Sequence, residues 1–176
     1  MQTVLTNSFQ FTTQFQARLT GVIGLLLLIS GSFAHYVNSK LIVIEAVETT
    51  ANNVVASELF FKQGIVSGLL MQTIFVLYAL LLFKLLSGVN KNLAILMAVL
   101  ALISVPLFML NQLNLYAVLP LAQAQSYELL GISLDIYRKG AAITSIFFGL
   151  WLLPLGLLVL RSGYLPKFIG VLLIIG

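Results

Sequence analysis

Of 176 residues, 60% are hydrophobic and only 8% are charged, against roughly 25% charged in an average soluble domain. Nine Lys/Arg and five Asp/Glu could not solvate the surface of a soluble fold this size, and the mean hydropathy of +1.09 agrees: this is the composition of an integral membrane protein. With no cysteine and one histidine, disulfides, thiolate nucleophiles, cysteine–zinc and iron–sulfur sites are excluded, as are bis-histidine haem and two-histidine zinc sites within one copy.

Residues 1–17 form a lead-in without charge before Arg18, rich in Gln, Thr and Phe; the alternation Ser8-Phe9-Gln10-Phe11 suggests an interfacial segment or an unstructured tail. Residues 19–37 make the first span, about 28 Å long as a helix and close to the hydrocarbon thickness. The same stretch also fits a cleavable leader, with Ser32 and Ala34 before a cut at His35; it is read here as a retained span. Residues 38–63 are a polar connection that opens with a β-branched run at 41–44 and turns helical and amphipathic from Ala46 to about Ser57, with Thr49 or Thr50 as its cap.

The second span covers 64–86 and ends in the turn Ser87-Gly88-Val89-Asn90. The third runs from about Leu93 to Leu110 and continues as a more polar helix through Asn111, Gln112 and Asn114. A polar segment at 123–140 leads to the fourth span, 141–160, which Pro154 should kink by removing one hydrogen bond. After the turn at 161–167, residues 168–176 reach about 14 Å, half a membrane, and read as the start of a fifth span in a truncated chain.

Backbone groups in lipid must be satisfied internally, and apolar runs near 20 residues fit helices rather than barrel strands. The expected fold is all-α: a polytopic transmembrane bundle of about four full spans plus the start of a fifth, with helical outward-facing extensions, as a single domain over 18–176. Alternate connections sort the charges. One side receives Arg18, Lys84, Lys91, Arg161 and Lys167 with no acid; the other receives Lys40, Lys62, Arg138 and Lys139 with Glu45, Glu48, Glu58, Glu128 and Asp135. The positive-inside rule makes the first side cytoplasmic and puts the N terminus inside a cell membrane. Basic residues scattered in this way point to topology, and no nucleic-acid partner is expected.

The strings Phe147-Phe148-Gly149-Leu150 and Arg161-Ser162-Gly163-Tyr164-Leu165-Pro166-Lys167, with Gly170, resemble the bacterial membrane family known as domain of unknown function 4386. Residues 18–28, the turn Val89-Asn90-Lys91-Asn92-Leu93 and residues 111–115 fit the same pattern, so the resemblance covers about 17–176. It implies a multi-span helical protein continuing beyond this endpoint, and no activity, cofactor or catalytic residue.

Among candidate site residues, Asn111, Gln112 and Asn114 are the densest polar cluster on a span; positions 111 and 114 share a helix face and could line an outward-facing vestibule. His35, beside Tyr36 near the end of the first span, is a candidate pH-sensitive residue. Gly64 and Gly68, and Gly149 and Gly156 around Pro154, are expected to let helices pack closely. Gln72-Thr73, Ser104 and Thr144-Ser145 read as hydrogen-bonding glue at membrane depth, and Glu45 and Glu48 as carboxylates that could share a helical face. Ion-coupled transporters carry ionisable residues inside their spans, and a catalytic nucleophile needs a neighbouring base; neither pattern is present. No catalytic, cofactor or metal residue is therefore expected. The expected function is a non-enzymatic scaffold or sensor whose partners are the lipid bilayer and itself or another membrane protein. The alternative is a facilitator or transporter subunit for a small, largely uncharged solute.

Overall fold

The computed structural model describes residues 2–43, 45–164 and 166–175, with side chains from Gln14 onward. Ile44 of the β-branched run, Leu165 of the 161–167 turn and the side chains on which the alternation at 8–11 rested lie outside the described residues. The fold is an all-α bundle. Seven helices follow one another among the described residues: α1 (Gln2–Leu41), α2 (Val47–Ala56), α3 (Glu58–Leu86), α4 (Lys91–Gln123), α5 (Tyr127–Leu150), α6 (Leu152–Ser162) and α7 (Lys167–Ile175).

The lead-in differs from expectation. It is helical and continuous with the first span in a 40-residue α1, because residues 2–20 contain neither Gly nor Pro and so no stop signal. The cap expected at Thr49 or Thr50 is also absent. Ala46 occupies the cap position of α2 without a side-chain bond, and Thr50 is buried inside the helix. Its hydroxyl accepts from the Val43 N–H at 2.8 Å and donates to the Val43 carbonyl at 2.9 Å. One side chain thus satisfies both backbone groups where α1 has ended. Ser57 alone separates α2 from α3.

Two other junctions are set by local chemistry. The Asn90 side chain accepts from the Leu93 N–H at 3.0 Å, capping α4. At the far end Gln125 adopts a left-handed backbone (φ 53°), and the N–H groups of Gln125 and Ser126 return to the carbonyls of Ala122 and Leu121. That paired pattern closes a helix C-terminus and reverses the chain.

The expected fourth span is two helices. The break falls at Trp151, three residues before Pro154, because a proline lacks the N–H that would bond the carbonyl four residues back and its ring crowds that carbonyl.

Contacts group the chain into two compact units: Met1–Leu26, Ile74–Ile103 and Phe147–Gly176 in one; Leu27–Thr73 and Ser104–Ile146 in the other. In the first, Phe75 stacks on Phe148 and meets Trp151 edge-on, each pair with ring centroids 5.2 Å apart. The turn after α6 uses Gly163 at φ +69°, and α7 folds back so that a Cβ on Gly156 would lie 2.8 Å from the Gly170 carbonyl oxygen. In the second unit, Val37, Val54, Phe61, Leu115, Val118, Leu130 and Leu134 form one apolar core joining α1 to α5. The charges divide with the units: Arg18, Lys84, Lys91, Arg161 and Lys167 lie in the first, and the other four bases with all five acids in the second.

Candidate functional site

The polar cluster on α4 belongs to the second unit. Asn111 and Asn114 do turn to one side of the helix, but that side is a seam against α5, not an open vestibule. The Asn111 amide donates to the Tyr137 carbonyl at 2.9 Å, the Asn114 amide reaches the Asn111 side-chain oxygen at 3.4 Å, and the Ser133 hydroxyl donates to the Asn114 carbonyl at 2.7 Å. The close approach requires Gly140, where any Cβ would collide with the Asn111 amide. Tyr137 also ties in α1, since its hydroxyl accepts from the Asn38 amide at 3.4 Å. Spacing correctly paired 111 with 114, but could not say that a helix covers them.

Gln112 lies on another face of α4, toward α3. It is buried, its amide nitrogen would lie 3.2 Å from a Cβ on Gly68, and its amide oxygen has no hydrogen-bond partner. One turn further along α3, Gln72 is fully buried with both amide ends unpartnered. Such groups cost folding free energy unless something pairs them.

The glycines do different things. Gly64 admits Val37 of α1, whose side chain would meet a Cβ at 2.6 Å, and Gly68 faces Ala34, Phe108 and Gln112. Of the two glycines expected to allow close packing around Pro154, Gly149 has nothing within 4 Å of a built Cβ, while Gly156 packs on Gly170. At membrane depth, Ser67 donates across to the Ser30 carbonyl at 2.8 Å. The Thr73 and Thr144 hydroxyls instead bond back to carbonyls four residues earlier in their own helices.

His35 is exposed on α1. Its neighbour Tyr36 meets the edge of Phe60 at 6.3 Å, with the Lys40 ammonium 5.8 Å from the Tyr36 ring. Glu45 precedes α2 and Glu48 lies within it, both exposed, so they do not share a helical face. Among the described residues no three His, Asp or Glu side chains gather closely enough to hold a metal ion.

A groove of about 280 Å³ lies in the same unit, lined by Glu58, Phe61, Lys62 and Ile65 of α3 and Tyr116, Leu119, Pro120 and Gln123 of α4. Phe61, Ile65 and Leu119 are buried and form its floor. Its polar rim is connected: Lys62 pairs with Glu58, and the Gln123 amide donates to the other Glu58 oxygen at 3.0 Å. In the sequence, Glu58 and Lys62 stand out only as charges of one connection. The missed signal is that both helices contribute residues at i, i+3, i+4 and i+7, the spacing of one helix face. Two such faces with matching polar ends can form a cleft, although only the fold brings them together.

Among the described residues, four helices are long and apolar enough to cross a membrane (Gln14–Leu41, Glu58–Leu86, Lys91–Gln123 and the kinked Tyr127–Ser162), the pattern of a multi-span helical membrane protein. The chain belongs to the family described as Domain of unknown function (DUF4386), whose model matches residues 19–176, the family its 161–167 turn resembles. No curated protein and no solved structure matches the chain.

Proposed function

We propose that the chain is a non-enzymatic protein of the cell membrane, N terminus cytoplasmic, that binds a lipid or a partner membrane protein and acts as a scaffold or sensor. The observation that carries this reading is the groove between α3 and α4, an apolar floor under a connected polar rim at the polar end of two spans, where bilayer and headgroup meet. The employment of other polar groups supports it. Asn111, Ser133 and Ser67 fasten helix to helix, and a hydroxyl donating to a backbone carbonyl has no base to activate it as a nucleophile. The sorting of charges between the two units supports the orientation, with the acid-free unit cytoplasmic.

Native mass spectrometry of the purified chain in mild detergent tests the proposal: retained lipid or a defined oligomer is expected, and a bare monomer contradicts it. One observation favours the facilitator as a second reading, the unpartnered amide of Gln72 and amide oxygen of Gln112, which a passing uncharged solute could satisfy. In that case proteoliposome flux would be lost on Gln72→Leu. The double replacement of Asn111 and Asn114 by Leu would be ambiguous, because it also opens the α4–α5 seam.

A further inference from the structure

We infer that the α3–α4 groove is a headgroup site for a zwitterionic phospholipid bearing a primary ammonium; this rests on the lipid-binding reading above and names its ligand. The rim carries one carboxylate and one ammonium, Glu58 and Lys62, on successive turns of α3. This arrangement complements a ligand with a phosphate and an ammonium a few bonds apart. A headgroup carrying only negative charge would meet Lys62 but be opposed by Glu58. The Glu58–Lys62 pair is an exposed i,i+4 pair, of a kind weakly held in water, so a ligand that offers each partner a replacement can part it at little cost.

Hydrogen-bond chemistry supplies the second argument: the Glu58 carboxylate on the rim is an acceptor for a group that can donate. A primary ammonium has three N–H donors, whereas a quaternary ammonium has none. On the phosphate side the donors are Lys62 and the Gln123 amide, which already spans the groove to Glu58 at 3.0 Å. Below them Phe61, Ile65 and Leu119 present an apolar floor for the glycerol and the first methylenes. The volume of about 280 Å³ is just below the range of ligand clefts, roughly 300–1,000 Å³, the size for a headgroup with its tails left in the bilayer.

The test is a competition on the full chain in mild detergent, using equal amounts of phosphatidylethanolamine, phosphatidylcholine and phosphatidylglycerol with identical acyl chains, read by native mass spectrometry. The wild type is expected to retain phosphatidylethanolamine over each competitor by about fivefold, a modest binding difference. Glu58→Gln should bring phosphatidylethanolamine and phosphatidylcholine to parity, and Lys62→Gln should lower the retention of both together. Both residues are exposed, and unchanged melting temperatures would establish that the variants fold. Equal retention of the two zwitterionic lipids by the wild type, or a preference that survives Glu58→Gln, overturns the assignment while leaving general lipid binding standing. No lipid retained by any form overturns the assignment and the lipid-binding reading together.

Discussion

Gly140 is the residue on which the α4–α5 seam depends. A methyl group there would strike the Asn111 amide and push it off the Tyr137 carbonyl, leaving a half-buried donor unpaired. Gly140→Ala should therefore destabilise the protein by about 1–3 kcal/mol, measured as a fall in melting temperature in detergent, even though alanine is the better helix former. Gln72 should behave oppositely. Both ends of its buried amide lack partners, so Gln72→Leu, which keeps the bulk and removes the polar atoms, should raise stability by about 1 kcal/mol. A fall in melting temperature would instead mean that a bound molecule pairs this amide in the native protein. Neither effect was legible in the sequence. Spacing placed Asn111 and Asn114 on one face and Gln72 at membrane depth, but a helix that is apolar all round gives no cue to which side meets protein and which meets lipid.

The helices show the same division between what composition dictates and what packing decides. Span number follows from the length of apolar runs, and four of the six helical segments among the described residues, counting kinked α5–α6 as one, meet the length and hydropathy of a span. Boundaries were less legible. The kink attributed to Pro154 lies at Trp151, because a proline disrupts the turn before it, and there Trp151 seats against Phe75. Helix α2 starts without the threonine cap because Thr50 is engaged with Val43, a contact between residues seven apart that no capping rule anticipates. The α6–α7 hairpin gives a matched pair of expectations. Gly156→Ala puts a methyl 2.8 Å from the Gly170 carbonyl oxygen and 2.6 Å from Ile174, and should cost about 1–3 kcal/mol through overpacking. Gly149→Ala meets open space and should stay within about 0.5 kcal/mol of wild type. Parallel thermal melts check both; equal losses would mean that the hairpin contact is not what Gly156 serves.

Taken over the whole chain, the charges are sorted by unit. Every acid, with Lys40, Lys62, Arg138 and Lys139, belongs to one compact unit; the other holds five bases and no acid. The local ion pairs in the mixed unit, Lys62 with Glu58 and Arg138 and Lys139 with Asp135, are exposed and contribute little to stability. They balance basic residues of that unit, whereas the other unit has no acid to offset its five bases, the asymmetry on which the proposed orientation rests. This pattern could be read from the sequence, because loop charge survives without knowledge of packing. The α3–α4 groove could not, because it exists only where two helix faces distant in sequence meet. Whether the chain crosses a membrane with its acid-bearing connections outside is tested most directly by cysteine labelling, which the cysteine-free sequence makes free of background. Asn52→Cys on α2 and Asn92→Cys at the start of α4 are both exposed and leave the charge balance intact. A membrane-impermeant maleimide should label Asn52→Cys in intact cells and Asn92→Cys only after permeabilisation; the reverse pattern, or both labelled in intact cells, would contradict this orientation.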